Sequence, residues 1–298
     1  MRSCVFLSFV PLALAVRVIL SNDDGWAENN VRTFFDVLDK AGYQVVLSAP
    51  VDNMSGTGSS EATPRAVFEG CRYSSCPPDS PATGYNSSDP RLNYVNSYPV
   101  TSIKTGISKT APALWGGAAP QLALTGPNVG HNMGSRRARK SGTIGAAVYA
   151  TKIAKIPAIA FAGKSIISAA WDDPAPVSSK VYAELALNVT STLVASGTPY
   201  LPVDTWLSVN FARVTSSKCN NTNEFKYILT RIGSGYHEAP DVKWCGSTRL
   251  PTERRVKDSK SGCYVTISIG DANDKSTVDA ARQAQVLPKL RSILSCLP

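Results

Sequence analysis

Histidine is almost missing from this chain: His131 and His237 are the only two in 298 residues. No C-x-x-C occurs either, so a zinc centre of the Cys/His kind has few ligands to draw on. There is no G-x-S-x-G elbow, no P-loop and no G-x-G-x-x-G, which removes the signatures of α/β-hydrolases, P-loop nucleotide hydrolases and dinucleotide-binding enzymes. A serine esterase therefore has no motif behind it. After the first 16 residues no apolar run approaches the roughly 18 residues of a membrane span, and no membrane partner is expected. Acidic residues are scarce too: 22 Asp and Glu stand against 31 Lys and Arg, a net charge of +9. That balance favours acidic small partners such as phosphate esters. The basic residues cluster only at Arg136, Arg137, Arg139 and Lys140, and at Arg254, Arg255 and Lys257. Neither cluster has the interleaved aromatics of a single-strand nucleic-acid groove, so no specific nucleic-acid partner is expected.

What is present describes an exported globular protein. Hydrophobic residues make up 43% and charged ones 18%, the balance of a folded chain. The opening "MRSCVFLSFVPLALAV" has an early Arg, a short apolar core and the small-x-small triplet Ala13-Leu14-Ala15. It reads as a secretory signal peptide over residues 1–15. Without Cys4, six cysteines remain: Cys71, Cys76, Cys219, Cys245, Cys263 and Cys296. An even number in an exported chain suggests disulfides; Cys71 and Cys76 are close enough to pair locally, and the rest of the connectivity is open. Asn53, Asn86, Asn188 and Asn220 stand in N-x-S/T sequons and are candidate glycan acceptors.

The apolar pattern predicts alternating strands and helices. "VILS" is followed by "NDDG", and then Val31, Phe34, Phe35 and Leu38 recur on one helix face. Asn29 or Asn30 is placed to cap that helix and Gly42 to end it. "QVVLSAP" reads as the next strand, completing a βαβ unit and implying a parallel sheet. Residues 55–119 are rich in Ser, Pro, Gly and Asn, with one helix expected near 101–110. "PQLALTG" and "PAIAFAG" resume the sheet, with the small-residue helix "SGTIGAAVYATKIAK" between them. The expected fold is α/β: a Rossmann-like, doubly wound, mainly parallel sheet. Residues 16–165 form its core, and residues 166–298 are a C-terminal extension of strands and helices in the same domain. In that second part the pattern predicts an amphipathic helix over 179–196, strands at 205–211 and 263–270, and a final helix broken or bent at Pro288.

Three polar clusters follow predicted strands: Asp23-Asp24, "NMSGTGSS" at 53–60 and "TGPNVGHNMG" at 125–134. Strand ends of a parallel sheet share one edge, so these clusters can meet. Two carboxylates with hydroxyl and amide oxygens form a hard donor set suited to Mg²⁺, Mn²⁺ or Ca²⁺. "KSGT" opens a helix whose cap is Ser141 and whose free N–H groups suit a phosphate. A metal facing an anion pocket describes metal-assisted phosphoryl hydrolysis.

These residues resemble the SurE-type survival-protein phosphatases and nucleotidases. "VILSNDDG" is similar to that family's opening strand and metal loop, and "SAPVDNMSGTGSS" to its A-P-x-x-x-x-S-G-x-x-S segment. "LTGPNVGHNMG" is similar to its S-G-x-N-x-G-x-N-x-G loop, and "SGTIGAA" to its S-G-T-x-x-A-A helix start. The four motifs keep family order across residues 17–163, while residues 212–262 match none of its motifs. By matching position the resemblance implies metal ligation by Asp23, Asp24, Ser55 and Asn128. It implies phosphate contacts from Gly56, Asn132, Ser141, Gly142 and Thr143, with Asn22 orienting the loop or touching substrate. It further implies a divalent metal cofactor (Mg²⁺ or Mn²⁺, with Ca²⁺ as a third candidate), phosphate monoester substrates such as nucleoside monophosphates, and a homodimer that exchanges C-terminal elements.

Three departures stand out. Pro127 replaces a non-proline residue before Asn128, "SRRARK" gives the site a basic rim, and the Asn53 sequon lies so close to Ser55 that it is expected to be unused. The leading expectation is a secreted, metal-dependent phosphomonoesterase. The alternative is a secreted, non-catalytic protein that keeps the fold and binds a metal or an anion.

Overall fold

The computed structural model describes residues 15–164, 167–259 and 262–298; the leader expected over residues 1–15 lies outside them except for Ala15. The apolar run at the start becomes β1 (Arg17–Ser21), with Val18, Ile19 and Leu20 fully buried. Val18 and Leu20 face one core cluster and Ile19 the other, as in a strand covered on both faces. α1 (Asn29–Lys40) buries Val31, Phe34, Phe35 and Leu38, the predicted face. Its cap differs from expectation. Glu28 is the capping residue and makes no side-chain cap bond, while Asn29 and Asn30 lie inside the first turn. Their amides tie distant parts of the chain instead: Asn30 Nδ2 donates to Pro127 O, Ser179 Oγ donates to Asn30 Oδ1, and Asn29 Nδ2 donates to Ala170 O.

β2 (Gln44–Pro50) pairs parallel with β1. An edge hairpin follows, β3 (Thr83–Asn86) with β4 (Asp89–Val95). The helix expected near 101–110 is three joined pieces: α2 (Pro99–Thr105), a wide turn over 106–110, and α3 (Ala111–Leu114). Then come β5 (Leu122–Val129), α4 (Ser135–Lys140), α5 (Gly142–Lys152) and β6 (Ala158–Gly163). α6 (Val177–Ala195) buries most of its circumference and is exposed chiefly along Lys180, Glu184 and Asn188, a narrower polar stripe than predicted. β7 (Thr205–Phe211) and β9 (Cys263–Asp271) match the expected strands. The polar stretch 212–262 contributes β8 (Phe225–Thr230) and α7 (Glu253–Asp258). α8 (Ala280–Leu290) continues through Pro288 rather than breaking there. The helix ends two residues later, so only its last turn bears the proline's missing N–H. β10 (Leu294–Ser295) closes the sheet against β8.

The ten strands of the described residues lie in one sheet, in the order β10-β8-β9-β7-β6-β5-β1-β2-β4-β3. The pairings are parallel except β3 with β4 and β7 with β9. α1, α6 and α8 cover one face through Phe34, Leu185 and Val286, and α2 and α5 cover the other through Ile103, Ala147 and Ala150. Winding reverses at β1, which has β2 on one side and β5 on the other. The crevice at the carboxyl ends of such strands is where doubly wound sheets hold ligands. Disulfides join Cys71 to Cys76, as their spacing suggested, and also Cys219 to Cys263 and Cys245 to Cys296.

Candidate active site

The three polar clusters converge at that reversal. β1 ends in Asn22-Asp23-Asp24, the chain after β2 carries Ser55 and Gly56, and the end of β5 carries Asn128. One cavity of about 440 Å³ is lined by Asp23, Ser55, Gly56, Asn128, Asn132 and Ser141. Its rim holds Arg136, Arg137, Lys140 and Arg254, with His131 in the wall. Gly25, at φ +104°, makes the turn that lets neighbouring carboxylates leave the strand together.

The carboxylates are almost wholly enclosed, each 2% exposed. Asp23 is gripped by the start of α5: Thr143 Oγ1 donates to its Oδ1, and the N–H groups of Thr143 and Gly142 also point at it. Burial nevertheless raises the Asp23 pKa, and these donors only partly offset the rise. Asp24 Oδ2 accepts from the Val129 N–H at 2.7 Å, and Ser55 Oγ lies 3.5 Å from Oδ1. Its pKa is raised well above the ordinary carboxylate range, first by burial and then by the charge of Asp23. Among the described residues neither carboxylate forms an ion pair with Lys or Arg.

The site residues therefore divide into two sets. Asp23, Ser55, Gly56, Asn128, Asn132 and Ser141 face the cavity, whereas Asn22, Asp24, Gly142 and Thr143 lie outside its lining. Asn22 Oδ1 accepts the N–H of Asp23, and its buried Nδ2 has no partner among the described residues. Of the residues that open α5 and were expected on a phosphate, Gly142 and Thr143 direct their N–H groups at Asp23. Ser141 caps α5 by accepting from the Ile144 N–H at 3.1 Å. Changing Ser141 to Ala is expected to cost about 1 kcal/mol in chemical denaturation.

Two buried carboxylates with no Lys or Arg in ion-pair contact among the described residues fit a divalent cation, with the Ser55 hydroxyl and the Asn128 amide oxygen completing a hard donor set. The Arg72 guanidinium, whose charge acts on Asp24, donates to the Asp24 backbone carbonyl at 3.2 Å. Asn128 Nδ2 is already used, donating to Gly130 O at 2.6 Å. Among the described residues no group of three or more His, Cys, Asp or Glu is gathered for a metal, so neutral oxygens have to supply part of such a shell. Asn132 Nδ2 is buried without a partner among the described residues, as a donor reserved for a ligand would be. His131 is held down to about 4, by burial first and then by Arg137, Lys257, Lys164 and Arg254. It is neutral near pH 7, so attraction of an anion falls to the arginines and Lys140.

Sequence reasoning missed Arg254 as part of this cavity and Glu253 behind it. Both come from the stretch that matched no motif; Arg254 stood out only as part of a basic cluster, and nothing local ties that cluster to a site about 120 positions away in the chain.

Residues 18–238 match the family model described as survival protein SurE. The acid phosphatase of Yarrowia lipolytica is 30% identical over 299 residues, covering 91% of this chain and 83% of that protein. The 5'-nucleotidase SurE of Ehrlichia chaffeensis is 28% identical over 219 residues, 72% of each chain. In fold, the crystal structure of the SurE protein from Aquifex aeolicus is similar at a TM-score of 0.55, covering 86% of this chain and 93% of that one, with 21% identity. With its family model spanning well over half of its length, this chain belongs to the SurE survival-protein family.

Proposed function

We propose that this chain is a secreted, divalent-metal-dependent phosphomonoesterase acting on small phosphorylated substrates, nucleoside monophosphates among them. The supporting observation is the convergence of Asp23, Ser55, Asn128, Asn132 and Ser141 on one cavity with four basic residues at its rim. The curated relatives named acid phosphatase and 5'-nucleotidase point the same way, and the three disulfides suit export.

A divalent Mg²⁺ or Mn²⁺ would be held by Asp23, Asp24, Ser55 and Asn128, and would supply charge neutralisation and a lowered pKa of water. Thr143 and the first amides of α5 favour the charged form of Asp23, offsetting part of the effect of burial, and fix it in one orientation. Val129 N–H does the same for Asp24. Gly56, Asn132 and Ser141 bind phosphoryl oxygens, while Arg136, Arg137, Lys140 and Arg254 draw in the dianion and stabilise charge as the ester bond breaks. The working assembly on this reading is a homodimer.

The test is phosphate release from p-nitrophenyl phosphate and from nucleoside monophosphates, with Mg²⁺ or Mn²⁺ and again with EDTA. Metal-restored turnover is expected. Binding of Ca²⁺ or phosphate with no turnover on any ester favours the non-catalytic alternative.

A further inference from the structure

Glu253 opens α7 and is fully buried, yet among the described residues it has no ion-pair partner. Burying an unpaired carboxylate is costly, so what it touches is informative. Its Oε2 accepts the Gly134 N–H at 2.7 Å and its Oε1 accepts from Ser208 Oγ at 3.1 Å. Ser268 donates to it as well. Three elements thus meet at one side chain: the loop after β5, β7 and β9. The contact continues toward the cavity. Asn210 Nδ2 donates to Ser208 Oγ at 3.2 Å, and Asn210 Oδ1 accepts the Asn132 N–H at 2.8 Å. The segment 132–134 is therefore held at both ends, by Glu253 at Gly134 and by Asn210 at Asn132. A Cβ placed on Gly134 would lie 3.1 Å from Arg254 Nε, so the Arg254 side chain lies along the same segment on its way to the cavity. Burial pushes the Glu253 carboxyl up to about 7, with the Gly134 N–H, the two serines and Arg254 acting against the shift.

We propose that Glu253 is a positioning residue for the phosphate cavity. By accepting the Gly134 N–H, and through Ser208 and Asn210, it fixes the 132–134 segment so that the Asn132 amide and the Arg254 guanidinium face the phosphoryl oxygens. This rests on the phosphatase reading for what occupies the cavity, but not on turnover. The variants are Glu253→Ala, Glu253→Gln and Ser208→Ala. The measurements are the Kd for inorganic phosphate by calorimetry, KM and kcat on p-nitrophenyl phosphate, and thermal unfolding.

Glu253→Ala is expected to raise both the phosphate Kd and KM about tenfold. Glu253→Gln, which keeps an acceptor for Gly134, recovers most of that loss. Ser208→Ala, which leaves the Gly134 contact in place and is the milder change, weakens phosphate binding about threefold. KM and Kd of the folded fraction do not depend on how much protein is folded. A lower Tm and lower activity per total protein, with Kd and KM unchanged in Glu253→Ala, therefore means a structural role only and overturns the proposal. Should Glu253→Ala not fold, an unchanged phosphate Kd in Ser208→Ala overturns it equally. A wild type that binds phosphate but hydrolyses no ester, with binding weakened in these variants, keeps the proposal while removing the phosphatase reading.

Discussion

Replacing Asp24 by asparagine is expected to lower kcat/KM on p-nitrophenyl phosphate by about 10³-fold while making the metal-free protein more stable at neutral pH. The two effects have one cause. Asp24 is buried beside Asp23, and its charged form is opposed by desolvation and by its neighbour. Asparagine keeps an oxygen for the Val129 N–H and removes the charge. The pH dependence has a definite sign. A carboxyl whose folded pKa is raised contributes stability below its unfolded pKa and loses it as pH rises through the folded value. Wild type in EDTA should therefore lose stability as pH rises above the ordinary carboxylate range, and Asp24→Asn should lose less. At pH 7.5 the variant should lead by on the order of 1–2 kcal/mol. Adding Mg²⁺ or Mn²⁺ reverses the order, because only wild type gains binding free energy in its folded state. Thermal unfolding across pH, with and without metal, measures all of this. A variant that is active, or that is less stable than wild type in EDTA at neutral pH, removes Asp24 from the cation site.

The second large effect comes from a single methyl group. Gly145 lies in the second turn of α5, and a Cβ there would stand 1.9 Å from Gly58 O and 2.8 Å from Gly58 C. The loop that carries Ser55 and Gly56 rests directly on the helix backbone and is tied to α4 by Gly58 N–H donating to Lys140 O at 2.9 Å. Gly145→Ala must push that loop outward, and backbone cannot rotate aside as a side chain can. A stability loss of about 3 kcal/mol is expected together with a fall in kcat/KM of about 10²-fold, since Ser55 moves with the loop. Normal activity with an unchanged Tm would show that the loop yields freely.

The parts legible in the sequence are those whose cause is local. β1, β2, β5 and β6 are apolar runs covered on both faces, α1 repeats at helical spacing, and Gly25 marks where Asp23 and Asp24 leave the strand. The basic rim at Arg136, Arg137 and Lys140 also follows from adjacent residues. What stayed hidden depends on partners far along the chain. The small residues of α5 signalled close packing, but not that Gly145 lies on Gly58. Thr143 looked like a phosphate ligand, and only the fold shows its hydroxyl on Asp23. Asn30 resembled a helix cap and instead joins Ser179 to the Pro127 carbonyl. Glu253 and Arg254 sat in a polar stretch with no period to read, and their place depends on β8 and β9 bringing α7 against the loop after β5.

The Cys245–Cys296 bridge bears on the exchange of C-terminal elements between subunits that the resemblance implies. Here the last strand lies on β8 of its own chain and is stitched covalently to its own loop. Once that bridge has oxidised within one molecule, the tail is committed. On the proposed homodimer, exchange of that last strand without the Cys245 loop requires both thiols to be free, so the order of oxidation and association would decide which chain the strand joins.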